Sequence, residues 1–169
     1  DEWESKFTTR NIALGADINV SHTKNYKGFA GWQLPREDHW RHDGSIVHKQ
    51  WGRVHGLGHT VDGLTIRSKK DYQYAGLFQQ NDITNNSIIR NINVTNVDIQ
   101  TTGSGDRTGG LAGFSDNIHN SYASGNVSTT GEHATTGGLV GYGYDIHNSY
   151  ATGNVSTTGR EAHAGGLVG

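Results

Sequence analysis

A segment of fourteen residues is repeated almost unchanged 28 residues later in the chain. Residues 118–131 read IHNSYASGNVSTTG and residues 146–159 read IHNSYATGNVSTTG, so that the two copies differ only at Ser124 and Thr152. A fixed period of this length is typical of a stacked architecture, in which each repeat is one unit and buries its apolar edge on the next. The repeat therefore constrains the fold far more than it constrains the function.

The composition is that of a single polar domain. The chain has 169 residues, of which 25 are glycine and 32% are hydrophobic, and its net charge is -2. Disorder is the alternative for such a sequence, but the apolar residues recur in register, which a disordered chain does not need. Without cysteine there is no disulfide or thiolate metal site. The charge gives no support for nucleic-acid binding, and no apolar run is long enough for membrane insertion.

Each 28-residue unit contains short extended pieces rich in Val, Ile, Thr and Tyr, without a helical period. In the last full unit we predict three strands, GGLVGY, DIHNSYA and NVSTT, with breaks at Gly143, at 152–153 and at 159–163. Three strands per repeat describe a parallel β-helix (β-solenoid), whose coils stack about 4.8 Å apart. A leucine-rich repeat is the competing solenoid, but no segment is long enough for its helix. We expect about five coils, with the right-handed crossover that parallel connections favour.

Stacking of this kind places identical residues above one another. We expect an asparagine ladder at a bend, in which each side-chain amide bonds to the next coil, and an exposed row of stacked tyrosines, Tyr122 with Tyr150. His119 and His147 would form an exposed ladder of their own. The predicted structural ladders are Leu111, Leu139 and Leu167; Ile118 and Ile146; Val127 and Val155; and the asparagines Asn120 and Asn148.

The repeat becomes looser toward the N-terminus, within one predicted domain, 1–169. Residues 54–169 are expected to be stacked coils, and one coil carries an insertion near 79–88. Residues 1–53 are expected to hold N-terminal strands, the first of them at 11–20, together with an inserted loop. The chain begins without methionine and stops partway through a repeat, so we expect a fragment of a longer protein, or an end that meets a partner.

The inserted loop, His22 to Trp51, does not fit the coil pattern and holds the only proline and three of the four tryptophans. Long loops in compact domains are often functional. Tryptophan rings stack on sugars and cations, and guanidinium groups grip carboxylates. The pattern favours a cap over the first coil, which buries the tryptophans, and the loop is also a candidate binding site, since the two roles can coexist; disorder is the remaining alternative. Its candidate ligand-binding residues are Trp32, Arg36, His39, Trp40, Arg41 and His42.

Enzymatic and metal chemistry have little support in the sequence. The spacing of the histidines matches no standard zinc site, and no calcium-binding nonapeptide occurs. Polysaccharide-cleaving β-helices need carboxylates gathered across neighbouring coils, but the acids of the two best repeats lie mostly in turns. We therefore predict no catalytic residue, no metal and no cofactor.

The segment GGLVG, followed by a strand and then IHNSYATGNVS, resembles the GLUG motif of large bacterial surface and secreted proteins, which include filamentous-haemagglutinin-like adhesins. The upstream run GLGHTVDGLTI resembles the segment that often precedes such repeats, with Leu57 in place of the usual polar residue. The resemblance covers about residues 54–169. It implies a right-handed parallel β-helix at a cell surface, with no catalytic residues to carry over.

Together these observations predict a non-enzymatic module of an extracellular bacterial adhesin or surface filament. Its partner would be a host glycan or matrix protein, bound by the inserted loop or by exposed tyrosine rows. The first alternative is a purely structural stalk or fibre that self-associates through the solenoid ends. The second is a carbohydrate-active β-helix enzyme.

Overall fold

The computed structural model describes residues 11–25, 30–31, 36–40, 46–50, 53–81 and 87–169, and of 36–40 and 46–50 it describes the backbone alone. One 3-10 helix, Ser21–Asn25, lies among the strands. No helix in this described part is long and apolar enough to cross a membrane. The strands are β1 (Asn11–Ala13), β2 (Ile18–Asn19), β3 (Arg36–Trp40), β4 (Ile46–Gln50), β5 (Arg53–His55), β6 (Thr60–Asp62), β7 (Thr65–Ser68), β8 (Tyr74–Ala75), β9 (Phe78–Asn81), β10 (Ile88–Arg90), β11 (Asn93–Thr101), β12 (Arg107–Gly109), β13 (Ala112–His119), β14 (Tyr122–Thr129), β15 (Thr135–Gly137), β16 (Val140–His147), β17 (Tyr150–Thr152), β18 (Val155–Thr157) and β19 (His163–Gly165).

Three parallel sheets form the body of the molecule. Sheet A has the order β1-β5-β10-β13-β16, with β9 also against β13. Sheet B has the order β17-β14-β11-β6-β2, with β18 against β14 and β7 against β11, and sheet C has the order β19-β15-β12-β8. The chain visits each sheet once per coil, for example through β12, β13 and β14, before it returns to sheet C at β15. The predicted β-solenoid with three-sided coils is confirmed.

The register between the C-terminal coils is the sequence period itself. Ile118 pairs with Ile146 in sheet A, and Val127 pairs with Val155 in sheet B. At the corner that leads into sheet A, the N–H of Leu139 donates to the carbonyl of Leu167, and the N–H of Leu111 donates to that of Leu139. Repeated residues therefore stand directly above one another.

These inward positions build an apolar core that runs along the stacking axis. Leu111, Leu139 and Ile118 have no exposed surface, whereas Leu167 and Ile146 are partly buried and pack against the same cluster. Burial of one such side chain contributes roughly 1.5–3 kcal/mol. In the N-terminal coils the same role falls to the buried side chains of Val54, Leu64, Ile66, Ile89, Ile92, Val94 and Ile99.

The division of a coil into strands differs from the prediction in three places. The predicted strand DIHNSYA is split, because β16 ends at His147 and β17 begins at Tyr150. The predicted break at Gly143 is wrong, because β16 continues through it and Gly143 lies over Ser115 of the preceding coil. The predicted break at 159–163 overlaps the start of β19, a strand of sheet C that the sequence analysis missed. A three-residue strand such as His163–Gly165 is too short to show an alternation of apolar and polar residues.

The N-terminal region contains further departures. The predicted first strand, 11–20, is two strands in different sheets, β1 and β2. Within the predicted inserted loop, β3 and β4 form an antiparallel pair that stands apart from the parallel sheets. The insertion predicted near 79–88 falls between β9 and β10, since both strands pair with β13, which spans the two without interruption.

Asparagines occupy one bend of the solenoid on three successive coils. Asn91, Asn120 and Asn148 have φ values of 52°, 48° and 46°, in the left-handed region that asparagine tolerates better than most residues. The backbone N–H of Asn120 donates to the carbonyl of His147 at 3.0 Å. Among the described residues, the asparagine side chains that bond to each other across coils are a different pair, since the Asn154 Nδ2 donates to the Asn126 Oδ1 at 3.1 Å. The bend asparagines are thus explained by backbone conformation.

Candidate functional site

The six loop residues predicted to bind a ligand fall largely outside the described part of the chain. Trp32, Arg41 and His42 lie beyond the described residues. Arg36, His39 and Trp40 lie on β3, opposite Gln50, Val47 and Ile46 of β4, and their side chains are not among the described ones. The binding role of this segment stays a prediction.

Tyr122 and Tyr150 form an outward pair on sheet B. Their backbones are paired in register, and their ring centroids are 4.4 Å apart with the ring planes inclined by 31°. Tyr150 is 59% exposed, whereas Tyr122 is half-buried. Hydrogen bonds from the hydroxyls of Ser124 and Thr152 lower the pKa of the Tyr122 phenol below its ordinary value. The two rings present a small aromatic surface that spans two coils.

A larger surface lies where sheet C meets sheet A. We call it the aromatic–arginine surface, and its members are Tyr74, Arg107, Phe114, Tyr142 and Tyr144. Tyr74 and Arg107 are register partners on β8 and β12, and Phe114 and Tyr142 are register partners on β13 and β16. The parallel stacking of two neighbouring sheets therefore brings together residues that lie far apart in the sequence.

Arg107 is the cation at the centre of this surface. Its guanidinium carbon lies 4.5 Å from the centroid of the Tyr142 ring and 5.7 Å from that of Tyr74. Both distances are within the range of a cation–π interaction, which holds the guanidinium group against the rings. No carboxylate among the described residues lies within salt-bridge distance of Arg107.

The rings pack on one another beneath and beside the arginine. Phe114 is buried and stacks on Tyr142 with the ring planes inclined by 11°, while Tyr74 meets Phe114 edge to face at 6.0 Å. Tyr144 is 62% exposed and touches Tyr142 both edge to face and through a hydroxyl pair 3.0 Å apart. The hydrogen bond with the Tyr142 hydroxyl raises the pKa of the Tyr144 phenol, so this phenol is neutral near pH 7. Buried Phe114 thus supports an exposed ring that carries a polar tip.

This arrangement is suited to recognition of a polar ligand that has an apolar face. Tyrosine offers an apolar ring and a hydroxyl with only two rotatable bonds to order, and arginine offers a planar fork of donors. A pyranose ring presents both types of group, C–H bonds on its face and hydroxyls at its edge. Within the described part of the chain, no three His, Cys, Asp or Glu side chains are placed to hold a metal ion.

The sequence analysis identified the Tyr122–Tyr150 pair but missed the aromatic–arginine surface. The pair is visible in the sequence because the same residue recurs after one period. The larger surface is assembled across a corner from residues that do not repeat: Tyr142 stacks on a phenylalanine, and Arg107 stacks on a tyrosine. The one local signal was the alternation of tyrosine with glycine at 142–144.

Comparison with known proteins identifies one family. The model of the GLUG motif matches residues 133–156, which include β15, β16 and β17. No curated protein and no solved structure matches the chain. The matched residues comprise most of one coil and include the stacked Leu139 and Ile146. The chain therefore carries the GLUG motif within its repeat, as the resemblance predicted.

Proposed function

We propose that the chain is a non-enzymatic adhesive module of an extracellular bacterial surface protein, which binds a glycan or a matrix protein. The chain is a β-solenoid repeat protein with a GLUG motif. At sequence level, its repeat resembles the GLUG motif of bacterial surface proteins, which include adhesins. The observation that carries the proposal is the aromatic–arginine surface, in which Tyr144 is exposed and is backed by Tyr142 and Arg107.

The geometry supports binding better than it supports catalysis. Phe114 and Tyr142 hold the surface rigid because their rings, on adjacent coils, pack on each other. A rigid aromatic platform loses little conformational entropy when a ligand is bound. Side chains of this kind dominate the binding energy of known interfaces, where tyrosine and arginine are enriched.

The regular register supports a second part of the proposal, in which the solenoid acts as an extended spacer. Pairs in all three sheets keep the 28-residue offset, so that the C-terminal coils form a regular stack held by backbone hydrogen bonds. A stack of this kind can hold a binding surface at a distance from the cell. The purely structural alternative, a stalk or a fibre that self-associates through its ends, uses the same stack without a ligand.

A screen on arrays of glycans and matrix proteins tests the proposal and locates the binding site. The variants are Tyr144→Ala in the aromatic–arginine surface and Trp40→Ala in the β3–β4 segment, with Tyr72→Ala as the matched control. Tyr72 is 80% exposed and lies outside the aromatic–arginine surface. We expect a ligand whose binding is lost in Tyr144→Ala and kept in the control. Loss in Trp40→Ala alone would move the site to the inserted segment, and absence of any ligand would leave the structural alternative.

A further inference from the structure

A second surface of the solenoid, on sheet A, carries basic residues in a column. His55, Arg90, His119 and His147 occupy equivalent outward positions on β5, β10, β13 and β16, as the register of the three strand pairs shows. Adjacent coils are about 4.8 Å apart, so the column extends over about 14 Å. The rings of His119 and His147 are already in contact, with centroids 4.9 Å apart. We call these four residues the basic column.

A cleft of about 490 Å³ opens beside the middle of the basic column. The residues that line it come from three successive coils and are Arg53, Ser87, Ile88, Arg90, Asn117 and His119. Arg53, Ile88 and Asn117 form a neighbouring outward column on three successive coils, with Ile88 in the middle. None of the described residues that line the cleft carries a carboxylate, and the nearest described acid in that column is Asp145, one coil above Asn117.

The cleft also contains an unpartnered polar group. The Ser87 side chain is only 4% exposed, and its Oγ has no hydrogen-bond partner among the described residues. The Nδ2 of Asn117 donates to the backbone carbonyl of Ser87 at 3.2 Å, which fixes both residues at the wall of the cleft. A buried hydroxyl without a partner costs free energy unless a ligand or water supplies one. Its position beside two guanidinium groups matches the donors that an oxyanion needs.

We infer that this cleft binds a carboxylate or sulfate group of a linear acidic polysaccharide, whose chain runs along the basic column. Arg90 would provide the main charge, because it is exposed and no carboxylate among the described residues lies within salt-bridge distance of it. The Ser87 hydroxyl and Arg53 would complete the donor set around one anionic group. His119 and His147, on the two coils above Arg90, would then donate to further anionic groups of the same chain.

A saccharide fits these observations better than a nucleic acid. Single-stranded nucleic acids are held by aromatic side chains on which bases stack, together with a broad basic groove. The described residues that line the cleft are one aliphatic and five polar or basic side chains, with no phenyl, phenol or indole ring among them, and the net charge of the whole chain is -2.

Titration calorimetry on the intact chain at low salt tests the inference. The probes are oligogalacturonate for carboxylates, a heparin oligosaccharide for sulfates, dextran as the neutral saccharide, and single-stranded DNA as the other polyanion. We expect binding of one or both acidic saccharides, no binding of dextran, and weakening of the interaction as salt is raised. Binding of both acids would indicate that charge decides, and binding of one would identify the acidic group.

Arg90→Gln is the decisive variant, and Arg160→Gln is its control because Arg160 is an exposed arginine on the turn before β19. Arg90→Gln should weaken binding at least tenfold without a change in melting temperature, whereas Arg160→Gln should not weaken it. Ser87→Ala should also weaken binding of the acidic saccharide. Tyr144→Ala should leave this binding unchanged, which separates it from the proposed glycan or matrix site. Absence of acidic saccharide binding, equal affinity for DNA, or an unaffected Arg90→Gln variant would overturn the inference.

Discussion

The hydroxyl of Tyr122 lies 2.9 Å from the hydroxyl of Thr152 on the next coil. Residue 152 is the position at which the two copies of the fourteen-residue repeat differ, since its equivalent one coil earlier is Ser124. Both hydroxyls interact with the same phenol, one from its own strand and one from the strand above. The tyrosine pair on sheet B is thus fixed by polar contacts between coils as well as by ring contact.

This contact predicts a change in the titration of a single phenol. The hydroxyls of Ser124 and Thr152 lower the pKa of Tyr122 because they can donate to the phenolate. Thr152→Val removes one of these donors and should raise the pKa of Tyr122 toward the ordinary tyrosine value of about 10. Thr152→Ser keeps the hydroxyl and should leave the pKa nearly unchanged. Absorbance titration at alkaline pH follows the phenolate, and equal curves for the valine and serine variants would contradict the contact.

The leucine column predicts that substitution by alanine lowers the free energy of unfolding by different amounts at two equivalent positions. Leu139 has no exposed surface, whereas its equivalent Leu167 is only partly buried in this chain. Leu139→Ala should therefore lower the free energy of unfolding by about 2–5 kcal/mol, which is typical of a buried leucine. Leu167→Ala should cost less, since its site can relax into solvent. Chemical denaturation of both variants measures the difference, and equal losses would show that the column is not graded in this way.

The exact repeat decides which parts of this fold could be predicted from the sequence. The inward columns were predictable because an exact period forces Ile118 over Ile146 and Val127 over Val155. The strand boundaries were not, because a glycine reads as a break in a sequence. Gly143 instead continues β16, where a Cβ would lie 2.6 Å from the carbonyl oxygen of Ser115, so close approach rather than a turn explains the residue.

A second pair of equivalent residues tests close approach between coils. A Cβ on Gly138 would lie 2.3 Å from the carbonyl oxygen of Gly166 and 2.9 Å from the Cβ of Ala151. Gly138→Ala should therefore destabilise the chain by roughly 1–3 kcal/mol, because the next coil must shift. A Cβ on Gly166 meets nothing within 4 Å, and Gly166→Ala should be neutral or slightly stabilising in this chain. Thermal melting of the two variants measures the contrast, and a neutral Gly138→Ala would mean that the coils are not packed this tightly.

Asp106 predicts a contribution of known sign to the pH dependence of stability. Its carboxylate is buried and accepts backbone N–H groups of Gln73 at 3.0 Å and Gly103 at 3.1 Å. Burial raises the pKa of Asp106 above its ordinary value, and these hydrogen bonds oppose the effect only in part. A raised pKa means that the folded state holds the proton more tightly than the unfolded state. The favourable contribution is therefore complete below the unfolded pKa of about 3.9 and is lost as the pH rises through the folded pKa.

Asp106→Asn removes this titration and isolates its contribution. We expect the free energy of unfolding of the parent chain, taken relative to that of the variant, to fall as the pH rises above about 4 and then to level off. Urea denaturation of both proteins between pH 4 and pH 7 gives this difference. A difference that rises with pH would show that hydrogen bonding, rather than burial, dominates at Asp106.

The candidate site could be predicted only in part, for a reason that lies in the geometry. Tyr122 and Tyr150 repeat, so their stacking followed from the period. Arg107 and Tyr142 meet across a corner between two sheets, and their contact depends on where each strand ends. A sequence that locates coils to within a few residues does not fix which side chains face each other at a corner. Contacts between repeated residues of adjacent coils were therefore predictable, and contacts between residues that do not repeat or that lie in different sheets were not.

The most direct test of the proposed adhesive role is the dissociation constant of the strongest array ligand for the parent chain, for Tyr144→Ala and for Tyr72→Ala. Because Tyr144 is exposed and contacts Tyr142 alone among the described aromatic rings, its removal should leave the melting temperature unchanged. The account predicts a dissociation constant at least tenfold higher for Tyr144→Ala and an unchanged value for Tyr72→Ala. The same dissociation constant for all three proteins would contradict the role of the aromatic–arginine surface, and the absence of any ligand would contradict the adhesive function itself.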